Sequence, residues 1–400
     1  MGTMNFQGQE SGLRMSRRAV LALTGVAGLA LAGCTSESPV AQTSSTTRLP
    51  SASVTTVPTA SAEPTVSHSP SNFLLATLAH SDGIARIDPS KDGSGAVEVL
   101  TVGAAPWGIG VHAASNAAFV ATAEGLAVVD LAHFTRRALV PYLHPAPNIS
   151  QGEYRPGGLG LAVSPDGSAV YVAVGLNTET TYLEVFDVAS GAFTGSVRVG
   201  WRPFDVVVDP KGAWVATIDH DSFTVTVVDP KTLKATPHQI APFGTEGGLA
   251  SWEKIHYAAV EPDGSILLPV QGKVVVRLNP MTGTSSTIPS TANSHAHGTA
   301  LAGGRLLTVG TGSFGNADGD PNLSVLDLAT GEERIAPLDV PHETVAGWSD
   351  ASGEEWAAVA GGNTRDEGWD GITFVRLNDF QQRQLPVPGY PQVVVSYSSL

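Results

Sequence analysis

The sequence predicts an all-β fold, a seven-bladed β-propeller with four antiparallel strands per blade, its ring closed by the C-terminal strand. Three observations predict it. A short alternating strand ending in Asp or Asn recurs seven times, at Asp88, Asp130, Asp187, Asp229, Asn279, Asp327 and Asn378, with spacings of 42, 57, 42, 50, 48 and 51 residues. The first repeat lacks an inner strand, whereas the chain end carries a spare one, "YPQVVVSYSS" from Tyr390. The 44 glycines and 27 prolines are spread along the chain, as many turns require.

Each repeat has the same internal order. A Pro- or Gly-led strand comes first, as in "PWGIGV", "PGGLGLAV", "PFDVVVDP" and "IHYAAVEP". A tight turn follows, such as "SPDGS", "DPKGA" or "EPDGS", whose Pro, Asp and Gly serve turn geometry. Next come a second apolar strand such as "AVYVAVG", the Asp-ending strand, and a fourth strand such as "FTGSVRVG". The first repeat begins at Asn72 with "NFLLATLAHSDGIARID" and opens directly on its second strand. The C-terminal strand is therefore expected to complete that blade, leaving only short, protected edges.

The front of the chain reads differently. "SRRAVLALTGVAGLALAGC" has Arg17 and Arg18, then an apolar run from Ala19 to Gly33, then Cys34. That run is shorter than the roughly 20 residues that span a bilayer, so residues 1–33 read as a signal peptide. "SRRAVL" resembles a twin-arginine export signal. "LAGC", Leu31 to Cys34, is similar to a lipobox, which implies cleavage before Cys34 and a diacylglycerol on its thiol. Cys34 is the only cysteine, which excludes intramolecular disulfides and cysteine catalysis. Thr35 to Pro70 holds 17 Ser or Thr and 5 Pro in 36 residues, too little apolar surface to offset the ordering of its backbone. Residues 34–70 read as a tether and 71–400 as the propeller. The chain is expected at the cell membrane, lipid-anchored on the extracytoplasmic side. A net charge of −15 argues against nucleic acid as a partner and attracts cations.

"VSPDGSAVYVAVG" (163–175) resembles the YVTN-type repeat, as do "VGAAP" (102–106) and "VGWRP" (199–203) between blades. The resemblance covers most of residues 72–400. It implies the propeller fold and leaves function open among surface-layer and secreted binding proteins, lactonase-like enzymes and proteins of no assigned activity.

In such a blade the start of the inner strand and the end of the second strand share one face, here termed the top. Seven of the eleven histidines fall there. His256, His297 and His342 begin the inner strands of blades five, six and seven, with His295 just outside. His80 and His220 end second strands, and His144 lies between blades. Zinc favours imidazole nitrogen and takes three or four ligands. His256, His297 and His342, with His295 or a carboxylate such as Glu343, meet that count at the mouth of the channel; a ring of polar residues lining water is the plainer alternative. The pattern is weakly similar to that of periplasmic β-propeller zinc metallochaperones, a resemblance that implies zinc as ligand and a metal transporter as partner. Trp107, Arg155, Arg202 and Trp369 are also expected near the top. Asp318, Asp320 and Asn322 alternate like a calcium loop but lack its downstream glutamate. Three functions follow: a His-lined binding protein for a transition metal; a lactonase-type hydrolase on the same face, for which inner-strand starts offer only Asp205 and Glu343; or an envelope interaction scaffold without small ligand.

Overall fold

The computed structural model describes residues 72–240, 254–270, 274–290, 296–312, 319–361 and 369–398, without the side chains of residues 296, 297 and 398. They form seven four-stranded antiparallel sheets. Blade one orders Pro391–Ser398, Asn72–Leu78, Gly83–Ile87 and Val97–Thr101 from the inside out. Its inner strand pairs Leu75 with Val395 and Ala76 with Val394, so the chain end closes the ring as expected. Blades two to seven each use four consecutive strands. Their inner strands are Ile109–His112, Gly157–Val163, Pro203–Val208, Ala259–Val260, Ala296–Ala302 and Thr344–Ser349.

The recurrent Asp or Asn has a local explanation. Each of Asp88, Asp130, Asp187, Asp229, Asn279 and Asp327 turns its side-chain oxygen onto a backbone N–H two or three residues on, for example Asp187 to Ser190 at 2.7 Å and Asp229 to Lys231 at 2.8 Å. These bonds nucleate the turn between third and fourth strands at the bottom face. Blade seven departs: Asp379, one residue past Asn378, takes the role by accepting from the Gln381 N–H at 3.1 Å.

The core is distributed around the ring. One apolar cluster fills each interface between neighbouring blades, from Leu75, Ile84, Ile109 and Ala118 between blades one and two to Leu74, Ala346, Ile372 and Phe374 between blades seven and one. Phe119, Phe186 and Phe374 are at most 2% exposed; full burial of such a side chain contributes about 1.5–3 kcal/mol. Blades pack closely because inner strands carry glycines where backbones meet. A Cβ on Gly160 would lie 2.5 Å from Asp205 Cα, and one on Gly298 would lie 2.5 Å from Thr344 Cα.

Two features set the top face. Inner strands of blades one, three, four and six break register near their starts, between Pro391 and Val394, Gly158 and Leu161, Pro203 and Asp205, and Ala296 and Thr299. Such bulges re-aim the side chains at the strand end. The blade linkers also hold Ala105, Arg202 and Tyr390 at φ of 49°, 50° and 58°, each directly before a proline. A non-glycine residue there costs about 1–3 kcal/mol, which the packed ring must offset.

Candidate functional site on the top face

At the axis the mouth is plugged. Trp107, Leu159 and Phe204, from the starts of inner strands two, three and four, form a buried apolar cluster with Val393 against it. Beneath it runs a channel of about 420 Å³ bordered by all seven inner strands, with Asp205, Tyr257, Thr299 and Thr344 among its lining. Trp107 is 2% exposed and serves channel packing.

Polar groups gather beside the plug, over blades four and five. Asp221, just after the second strand of blade four, is their centre. Its carboxylate takes His220 Nδ1 at 2.8 Å, Lys254 Nζ at 2.8 Å and Arg202 Nε at 2.9 Å. Burial alone would raise the Asp221 pKa, but the hydrogen bonds and charges of these partners outweigh it and hold it at about 2. His220 is shifted the other way: burial lowers its pKa, and the Asp221 bond opposes only in part. A neutral His220 then donates from Nδ1 to Asp221 and presents Nε2 as an acceptor.

Aromatic rings fix this arrangement. The His256 and His220 rings meet edge to face at 4.3 Å, and His256 stacks on Phe204 at 5.6 Å and 5°. The Arg202 guanidinium lies 4.4 Å over Tyr154 and reaches Thr178 Oγ1 at 2.5 Å. A pocket of about 200 Å³ opens there between blades three and four, lined in part by Glu153, Tyr154, Asn177, Thr178 and Arg202. Arg155 donates from its two terminal nitrogens to the Pro156 and Gly158 carbonyls, its Nε is buried without a partner, and burial lowers its pKa to about 10.

The expected histidine ring divides. His256 and His220 come together. His342 is fully buried within blade seven, its Nε2 2.9 Å from Thr373 Oγ1 on the third strand and 3.4 Å from the Trp369 indole donor. Its ring is thus turned away from the axis, and burial pushes its pKa down to about 3 against the Gly361 backbone. The approach of Gly298 to Thr344 also sets His297 level with Glu343, not with His342, one residue of register apart. His80 is exposed at the rim and packs on Tyr390 at 4.3 Å. His144 stacks on Tyr182 at 3.7 Å and bonds the buried Glu184 at 2.9 Å. His295, Asp318 and Cys34 lie outside the described residues, as does the side chain of His297. Among the described residues, no group of three or more His, Cys, Asp or Glu is placed to hold a metal ion.

The two inner-strand carboxylates both bridge blades. Asp205 Oδ2 accepts from the Ala258 N–H of blade five at 3.0 Å, while Oδ1 takes its neighbour Val206 N–H at 2.9 Å. The inner strand of blade five is short, Ala259–Val260, and begins directly after Ala258. Burial raises the Asp205 pKa to about 7 against those two bonds. Glu343, 1% exposed, accepts from Gln392 Nε2 at 2.9 Å across blades seven and one. Tyr257, raised well above the usual phenol range by burial, lies under the influence of both carboxylates.

Sequence patterns passed over Asp221, Lys254, Tyr154 and Tyr257. Asp221 is adjacent to His220 in "TIDHDSF", and Lys254 is two residues before His256 in "WEKIHY". A local search for acid or base neighbours of the top-face histidines finds both.

The sequence matches no protein-family model and no curated protein. Among solved structures it resembles the dihydro-heme d1 dehydrogenase NirN in complex with DHE (TM-score 0.51, 17% identity, 70% of this chain). The chain spans 55% of the length of that protein. It also resembles hydrazine synthase of Kuenenia stuttgartiensis (TM-score 0.54, 13% identity, 73% of this chain and 92% of that one). A third similar structure is the β-propeller domain of Cps50 (Swd1) from Myceliophteria thermophila (TM-score 0.54, 12% identity, 72% and 89%). At these identities the likeness speaks for the fold alone: the chain is a seven-bladed β-propeller.

Proposed function

We propose that the chain is a lipid-anchored, extracytoplasmic binding propeller of YVTN type whose ligand site lies on the top face over blades three to five. The observation that carries this reading is the network around Asp221, where two cations, two imidazoles and two aromatic rings converge beside a small pocket. Pre-ordered polar groups around a concave site are what a small polar ligand requires. A lipid on Cys34 and the tether of residues 34–70 would hold the folded body near, but off, the membrane. The engagement of Asp205 and Glu343 in bonds between blades favours binding over hydrolysis.

A transition metal is the narrower form of the proposal. A carboxylate on Nδ1 orients an imidazole so that Nε2 can ligate, and His220 has that partner in Asp221. His220 and His256 supply two nitrogens; zinc needs a third, for which His297 or His295 of blade six are the candidates. The test is thermal melting of the full chain with zinc, manganese and calcium, with bound metal measured on the purified protein. A ligand of the native state alone adds about 2.7 kcal/mol at 100 times its Kd. A zinc shift lost in both His256→Ala and His297→Ala supports the metal form. No shift with any of the three ions removes it and favours an interaction scaffold.

A further inference from the structure

The bottom face between blades seven and one holds a second cavity, of about 570 Å³. One wall is a pair of indoles. Trp348 ends the inner strand of blade seven, Trp356 stands opposite it on the second strand, and their rings lie 6.2 Å apart at 24°. Phe374 packs edge-on behind Trp348, and the Arg376 guanidinium sits 5.6 Å over Trp356, so both rings are held. The other wall is the Asp88–Ser90 turn with Asp92 and Arg383.

The polar groups of this cavity are fixed before any ligand arrives. Asp350 accepts from Ser352 N–H at 2.8 Å and from Trp356 Nε1 at 3.2 Å. Arg383 donates to the Pro89 carbonyl at 2.7 Å and faces Asp92 at 3.4 Å; Asp88 pairs with Lys91 at 2.9 Å. Most charge at the rim is thus balanced internally, which disfavours selection of a ligand by charge. Trp348 Nε1 is itself buried away from the cavity, so this indole offers the cavity apolar surface only. The groove between blades four and five offers a contrast: it has a single indole, Trp214, and only about 160 Å³.

We propose that the cavity between blades seven and one is a carbohydrate-binding site for a mono- or disaccharide. The indole pair offers a flat apolar wall to the C–H face of a pyranose. Fixed carboxylates accept from its hydroxyls, and Arg383 donates to its oxygens. Pre-ordered walls spare the ordering cost that weakens small-ligand binding, and the volume lies in the range of small-molecule sites. The site is separate from the top-face reading and stands or falls without it.

The test is tryptophan fluorescence and calorimetry of the full chain with chitobiose, cellobiose and maltose as probes. At least one should bind saturably in the millimolar range. Trp348→Ala should weaken it by about tenfold, and Trp348→Phe by less. Ser90→Trp fills the cavity from an exposed turn and should abolish binding with the melting temperature kept. Absence of saturable binding by all three sugars up to about 50 mM, or binding that survives Ser90→Trp, overturns the proposal. Choline binding more tightly than every sugar also overturns it, in favour of an organic-cation site.

Discussion

Replacement of Asp221 by Ala tests the top-face network most directly. Asp221 is 7% exposed and neutralises Lys254, itself 7% exposed, together with Arg202. Its removal takes away the carboxylate that a buried ammonium and a largely buried guanidinium share, and frees His220 Nδ1. Breaking a buried ion pair in this way costs about 3–5 kcal/mol. At about 2 °C per kcal/mol for a domain of this size, the melting temperature should fall by about 6–10 °C. The pH dependence gives an independent check. The folded-state pKa of Asp221 is held at about 2, below the usual carboxylate value of 3.8. A depressed acid contributes stability that is present above the unfolded pKa and lost as pH falls through the folded one. The shift corresponds to about 2 kcal/mol at pH 7, of which about half is gone by pH 3. Urea denaturation followed by circular dichroism, for wild type and Asp221→Ala at pH 7 and pH 3, measures both. A loss under about 1 kcal/mol at pH 7, or a difference between the proteins that does not shrink at pH 3, would refute the reasoning.

Other outcomes are equally definite. Truncation after Gly389 removes the inner strand of blade one, exposes the edge of Asn72–Leu78, and should abolish cooperative unfolding; a truncated chain melting like wild type would deny the closure. Asp205, raised to about 7, behaves oppositely to Asp221: its contribution is full below the unfolded pKa and is lost as pH rises through 7. Asp205→Asn should therefore gain on wild type by about 1 kcal/mol between pH 5 and pH 8, half of what the shift gives over that range because the carboxylate borders the channel; denaturation midpoints that move in parallel would contradict this. Gly160→Ala drives a Cβ into the Asp205 backbone and should cost about 1–3 kcal/mol, read by the same titrations. Cys34→Ala should move the protein from the membrane fraction to the soluble one, and mass spectrometry of the wild-type N-terminus should find the acylated cysteine.

Much of the architecture was legible in the linear chain because its causes are local. Asp187 and Asp229 cap turns two or three residues away, so their recurrence marks the ends of third strands directly. Pro-Asp-Gly turns and alternating apolar residues are likewise set within a few positions. Ring closure was legible from a deficit at one end matched by a surplus at the other, which only pairing of Asn72–Leu78 with Pro391–Ser398 resolves. The face on which His220 and His256 emerge follows from strand direction alone.

What the strand order leaves open is the sideways register between blades and the aim of each ring. His342 begins its blade much as His256 does, yet a Thr373 hydroxyl and a Trp369 indole, 31 and 27 residues further on, hold it inside the sheet. Asp221 takes its ionisation from its chain neighbour His220 together with Lys254 and Arg202 on other segments, and Asp205 takes its neutrality from burial against blade five. These are decided by tertiary packing because desolvation and charge pairing depend on distances of a few ångströms in space, which spacing along the chain does not encode. The sequence by itself thus determined how many blades there are and which way each strand runs. Only the folded ring decided which side chains meet at its mouth.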